Sequence, residues 1–374
     1  MRYILYVMGI FCWIDWLPYL DYTSLNYFNY FIIILFILSL LGNIKFLFPL
    51  NKLQKILIVY LIYMILCSLL HEHLFKLTTS INILTIVLIM NKKISKSKYL
   101  VNGFVFGGFL TALYMILMTF NIIEIVDFSA LNQFNFGDYF LNSQDKLLSI
   151  GFTNKYNKLS YLFAFLICII NLKLNLKTIF KFALTALIIY LQIKTTGRGG
   201  LLISILFITI LSILNKKRFI LLPIIITTAF YVLSSNFFLE VGKRFSSDDS
   251  SLSSRVSQFR YVLENFHNNS IFGIGYRSMS ELTESIYIHN FFLNNLIMGG
   301  IIGFVIALYF IVILLQKIMN SKMPKELRIF IFMLIIMQTM FENFNLILAM
   351  GSYLLVWVLI KEYEIEENNT LNNS

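Results

Sequence analysis

Charge is what this sequence has least of: 13% of its 374 residues are Asp, Glu, Lys or Arg, against 58% hydrophobic, and the mean hydropathy is +0.78. So little polar material cannot cover the surface of a soluble domain, which argues against a soluble enzyme on an anchor and makes the bilayer the solvent. Cysteine is nearly as rare. Cys12, Cys67 and Cys168 stand singly inside apolar runs, too few and too scattered for a disulfide framework or a thiolate metal site. His71-Glu72-His73 is no better a metal set, because ligands at i and i+2 do not share a helical face. No metal or other cofactor is expected. Walker, dinucleotide-binding and serine-hydrolase elbow patterns are missing, which argues against a nucleotide-driven pump and against a serine hydrolase. No internal repeat is visible. Nor does Tyr3 to Leu20 end in a cleavage site: Asp15, Trp16 and Pro18 stand where small residues would be required, so this stretch reads as a retained first span.

What is present is a series of apolar runs, at about 3–20, 27–44, 56–71, 74–90, 99–121, 159–172, 178–193, 199–214, 218–235, 290–315, 328–344 and 346–360. Several approach or exceed the ~18 to 20 residues that a helix needs to cross the hydrocarbon core. The expectation is an all-α integral membrane protein of about 12 transmembrane helices, a single polytopic domain over residues 1–374. The net charge of +11 is spread over short loops rather than gathered in one patch, so it reads as topology and not as a nucleic-acid surface. With the N-terminus inside, 19 of the 30 basic residues and only 5 of the 19 acidic ones fall on the cytoplasmic side. The positive-inside rule asks for this asymmetry, and it places both termini in the cytoplasm.

Two outer segments are longer than a connection requires, residues 122–158 and the larger 236–288 between spans 9 and 10. In the second, Val256, Phe259, Leu263 and Phe266 follow Ser253 and Ser254 at helical spacing, which predicts a short amphipathic helix.

Three polar constellations interrupt the apolar pattern. Thr195-Thr196-Gly197-Arg198-Gly199-Gly200 joins two spans with a glycine turn beside a guanidinium. Such a turn suits an anion, and it equally suits a hairpin whose Arg reaches the headgroups. Ser253-Ser254-Arg255 is followed by Arg260, with Lys243, Arg244 and Arg277 nearby, a cationic cluster on the side where basic residues are sparse. Its planar forks fit phosphate, although Arg260 also stands four residues before Glu264, an ordinary helical surface pair. Last come Phe272-Gly273-Ile274-Gly275-Tyr276 and His289-Asn290, which opens a helix containing Gly299, Gly300 and Gly303. Gly299 and Gly303 are a small-residue packing pattern first. His289 sits at the membrane boundary, where an imidazole can act as a general base or simply hydrogen-bond a neighbour.

In this order, Thr196-Gly197-Arg198-Gly199-Gly200, Ser254-Arg255, Phe272-Gly273-Ile274-Gly275-Tyr276, His289-Asn290 and Gly299-Gly300-Ile301-Ile302-Gly303 resemble the O-antigen polymerase and O-antigen ligase superfamily. Gly151 to Asn157 looks like the family's segment ahead of a span, without the usual proline before Asn157. The resemblance implies a membrane glycosyltransferase whose donor is an oligosaccharide on undecaprenyl diphosphate at the outer face of the bacterial inner membrane. It implies Arg198 and Arg255 at the leaving diphosphate, His289 at the acceptor hydroxyl, and Arg260, Arg277, Arg244, Asn290 and Asn157 in substrate binding. Phe134, Phe136, Tyr139 and Tyr276 are loop aromatics able to stack on sugars or to form an interfacial belt. A repeat-unit polymerase is the preferred reading, on a compact chain rich in Ile, Lys, Asn, Phe and Tyr; a ligase to lipid A core and a lipid-linked oligosaccharide flippase are the alternatives. Membrane lipids, a chain-length regulator and a flippase are the expected partners, with no nucleic acid.

Overall fold

A computed structural model describes residues 2–11, 13, 51–70, 97–120, 156–194, 198–214, 260, 262–264, 270–274 and 290–341, with single positions at 223, 356, 359, 360 and 363. Every regular element among the described residues is an α-helix: α1 (Arg2–Phe11), α2 (Lys52–Leu70), α3 (Ser97–Thr119), α4 (Tyr156–Leu172), α5 (Thr178–Lys194), α6 (Arg198–Leu214), α7 (Phe291–Met319) and α8 (Lys325–Phe341). Each falls on an apolar run expected from the sequence. Among the described residues, Lys98–Leu117 and Phe291–Met319 are long and apolar enough to cross a membrane, and Leu159–Leu172, Thr178–Ile193 and Gly199–Leu214 are shorter apolar helices. The expected spans at 27–44, 74–90 and 218–235, and most of 346–360, lie outside the described residues.

The chain divides into two compact units: Met1–Tyr27, Lys96–Thr228 and Lys325–Phe330 in the first, and Phe28–Ser95, Ala229–Pro324 and Ile331–Ser374 in the second.

In the first unit α4 is the central helix. Its residues 159–171 are all buried, as expected of a helix apolar all round. α1 lies on α3 where Gly9 and Gly103 let the two backbones touch: a Cβ on Gly9 would strike the Leu100 carbonyl, and one on Gly103 the Tyr6 carbonyl. Small residues are how membrane helices approach this closely. Beyond them Gly107 and Gly108 leave room for Trp13, whose indole N–H donates to the Phe104 carbonyl at 2.7 Å and whose ring packs on Phe104 and Phe163. At the opposite end of α4 the turn to α5 is held by Asn171, whose amide donates to Thr185 Oγ1 at 3.0 Å, and by Lys181, which donates to the Asn171 carbonyl at 3.1 Å.

In the second unit α2 packs on α7. α2 begins with a reciprocal cap: Asn51 Oδ1 accepts the Gln54 amide at 3.0 Å, and Gln54 Oε1 accepts the Asn51 amide at 2.9 Å, two helix-end donors satisfied at once. The amphipathic segment around Arg260 differs in register from its expectation. Val262 is 1% exposed and Leu263 64%, so the buried stripe passes through Val262; Val256, Phe259 and Phe266 lie outside the described residues.

Candidate functional site

Arg198 is the first residue of α6. The glycines after it explain why the helix can start there. A Cβ on Gly199 would meet the Tyr161 hydroxyl, and one on Gly200 would meet the Ser160 backbone, so α6 opens in direct contact with the beginning of α4. α5 returns antiparallel to α4, and near its end Gln192 Nε2 donates to the Ser160 carbonyl at 2.7 Å. The starts of α4 and α6 are thereby clamped side by side, with Asn157 in the first turn of one and Arg198 in the first turn of the other. Neither first turn contains an acidic residue. Two adjacent helix N-termini carry partial positive charge with no acid in either first turn, and Arg198 opens one of them, an arrangement chemically suited to an anion. Thr195, Thr196 and Gly197 lie outside the described residues.

In the second unit the two glycine motifs of the sequence meet each other. α7 is broken at Gly300, whose φ of 60° and ψ of −161° fall in a region essentially reserved for glycine. In a continuous helix the Ile301 N–H would bond the Ile297 carbonyl. Instead Ile301 N donates to the Ser270 carbonyl at 2.9 Å, and the Ile297 carbonyl accepts the Ile274 N–H at 3.0 Å. The Ser270–Ile274 turn has entered the helix ladder. Gly273, with φ of 68°, and Gly300 press backbone to backbone, and neither has room for a Cβ. Tyr63 of α2 completes the junction: its hydroxyl donates to the Gly299 carbonyl at 2.6 Å and lies 3.4 Å from the Ile271 carbonyl, and its ring lies against Gly299 and Gly303. One turn earlier the Tyr60 hydroxyl donates to Asn295 Oδ1.

Asn290 is the N-cap of α7. Its Oδ1 accepts the amides of Phe292 at 2.9 Å and Leu293 at 3.0 Å, and its Nδ2 donates to the Met340 carbonyl at 3.1 Å. The residue thus has a structural use that the sequence reading, which assigned it to substrate, did not include. Arg260 and Glu264 are exposed in the same short helical segment. His289, Arg255, Arg244 and Arg277, along with Phe134, Phe136, Tyr139, Tyr276 and the His71-Glu72-His73 run, lie outside the described residues. Beside Phe272, an apolar groove of about 370 Å³ is lined by Tyr63, Leu66, Cys67, Leu69, Leu70 and Phe272.

Tyr60, Tyr63, Ser160 and Gln192 were not singled out by the sequence reading. The available signal was a hydrogen-bonding side chain inside an apolar run, which in a membrane helix must find a partner.

Residues 180–308 match the family described as O-antigen ligase. The match takes in Arg198, the Gly273 turn, Asn290 and Gly300, and over these residues the resemblance to the O-antigen polymerase and ligase superfamily holds. It supports a membrane protein with a function of the ligase or polymerase type. A search of curated proteins finds no match to the chain.

Proposed function

We propose that this chain, with an O-antigen ligase family domain at residues 180–308, is a repeat-unit polymerase: a metal-independent glycosyltransferase moving an O-antigen or capsule glycan from undecaprenyl diphosphate to the sugar end of another lipid-linked repeat unit. The observation that carries this reading is the paired start of α4 and α6 at Arg198, with no acid in either first turn. Breaking a sugar to diphosphate bond leaves negative charge on the departing group. Fixed dipoles and guanidinium groups stabilise such charge. In the step proposed, the acceptor hydroxyl gives its proton to His289 and its oxygen bonds the anomeric carbon, while the bond from that carbon to the diphosphate oxygen breaks. The electron pair leaves with undecaprenyl diphosphate, held by Arg198 and Arg255. Arg260, Arg277, Arg244 and Asn157 serve donor and acceptor binding, and Asn290 serves through the helix end it caps. The apolar groove beside Phe272 suits a hydrocarbon chain better than a sugar.

On this reading the chemistry lies on the outer face of the bacterial inner membrane with both termini cytoplasmic, an orientation that the charge asymmetry supports. A chain-length regulator and a flippase supplying the donor are the partners this reading implies.

A second reading, ligation of the glycan to lipid A core, is favoured by the description of the matched family. Deleting the gene and running the surface polysaccharide on a gel separates the readings. Caps of a single repeat unit mean a lost polymerase. Uncapped core with polymer left on the lipid carrier means a lost ligase, and precursor held on the inner side means a lost flippase and the failure of both.

A further inference from the structure

We infer that Tyr63 is a positioning residue, locking α7 in its broken arrangement and so fixing where the His289–Asn290 end of that helix stands; the functional part rests on the role proposed for His289. α7 has two ways to satisfy its backbone. It can be continuous, with Ile301 bonded to Ile297 and Gly303 to Gly299. Or it can be broken at Gly300, with the Ser270–Ile274 turn taking both sides of the first rung and the Tyr63 hydroxyl donating to the Gly299 carbonyl of the second. Inside a bilayer each exposed backbone group must be satisfied by protein, so intermediate arrangements are disfavoured and the element has two states rather than a continuum.

Two features make Tyr63 the group that chooses between them. Its hydroxyl reaches a carbonyl on the helix, Gly299, and one on the inserted turn, Ile271, which lie within reach of one side chain only while the turn is in place. It also projects from α2, so the lock is anchored on a helix separate from the one it holds. The consequence is felt at the cap. The half-helix Phe291–Gly299 is roughly 13 Å long at about 1.5 Å per residue, so a swing of about 10° at Gly300 carries Asn290 roughly 2 Å. His289 is the adjoining residue. Displacements of about 1 Å at a reacting group are enough to lower a rate by orders of magnitude.

Tyr63→Phe removes the oxygen and keeps the ring against Gly299 and Gly303. The test places spin-label pairs at Val59 and Phe292, reporting the half of α7 before the break, and at Val59 and Val305, reporting the half after it. The protein is full-length and in nanodiscs, with Cys12, Cys67 and Cys168 replaced by Ala. The expected result in Tyr63→Phe is a Val59–Phe292 distribution shifted or broadened by about 2 Å with Val59–Val305 unchanged, and a kcat lowered about ten-fold or more at unchanged KM. Parental distances in both pairs overturn the inference whatever the rate does. A change in both pairs also overturns it, since Tyr63 would then be holding α2 to α7 in general. A shift confined to the first pair with a parental rate leaves the lock standing and removes the catalytic reading of His289.

Discussion

The side-chain amide of Gln192 donates to the backbone carbonyl of Ser160 at 2.7 Å, and this bond fixes the end of α5 against the start of α4. Arg198, the first residue of α6, stands four positions after the last residue of α5. Gln192 is fully buried in an apolar helix, and its Nε2–H is satisfied there by the Ser160 carbonyl. The anion setting at Arg198 therefore depends on a contact between two residues that carry no charge.

Gly200 tests that setting from the packing side. A Cβ there would run into the Ser160 backbone, which cannot yield as a flexible side chain can. Gly200→Ala is expected to push the start of α6 away from α4 and to raise KM for the lipid-linked donor by about ten-fold or more, with protein still in the membrane. Steady-state kinetics on membranes normalised for protein level check it; a parental KM would mean that the two helix starts need not touch for donor binding.

The break in α7 gives a paired prediction on neighbouring glycines. Gly300→Ala places a side chain in a glycine-only backbone region and against the Ile271 carbonyl, with a strain of about 1–3 kcal/mol before the clash is counted. Gly299→Ala meets only Met64 Sδ at 3.2 Å and Tyr63 Cε1 at 3.4 Å, side-chain atoms able to give. Thermal unfolding in detergent should show a loss of several degrees or more for Gly300→Ala and little for Gly299→Ala. Equal effects would mean that the glycine pair acts as a simple packing surface and that the break is unimportant.

Much of the helical framework was legible from hydropathy, because a helix crossing a bilayer must be apolar over nearly its whole length. The runs at 159–172, 178–193 and 199–214 differ from α4, α5 and α6 by three residues or fewer at any end. The break in α7 was not legible. Gly299-Gly300 with Gly303 reads as small-residue packing, and Gly299 and Gly303 do face the Tyr63 ring. What the pattern could not reveal is that the Ser270–Ile274 turn, separated along the chain, supplies the hydrogen bonds that let Gly300 leave the helix. Leu263 shows the same limit on a smaller scale: helical spacing names a stripe, and tertiary packing decides that Val262 is the side turned inward. The pairing of the starts of α4 and α6 likewise needed Ser160, Tyr161 and Gln192, none of which has a distinctive spacing.

His289 is tested through pH. A general base works in its neutral form, so the rate should fall as pH drops through the ordinary imidazole range and recover as it rises. His289→Ala is expected to lower the rate by about 100-fold, to leave donor binding intact and to lose that pH response. Rates across pH in purified membranes, for the parent, His289→Ala and His289→Gln, check it. Parental rates in His289→Ala would reduce the residue to a boundary histidine.

Arg198, at the paired starts of α4 and α6, is proposed to hold the diphosphate of the donor as its bond to sugar breaks. The direct measurement is polymerisation by the purified full-length protein in proteoliposomes supplied with lipid-linked repeat units, comparing the parent with Arg198→Ala and Arg198→Lys at equal protein. No extension beyond single units is expected in Arg198→Ala, and weak extension in Arg198→Lys, since a point charge lacks the forked contact. Full-length polymer made by Arg198→Ala at the parental rate would contradict it.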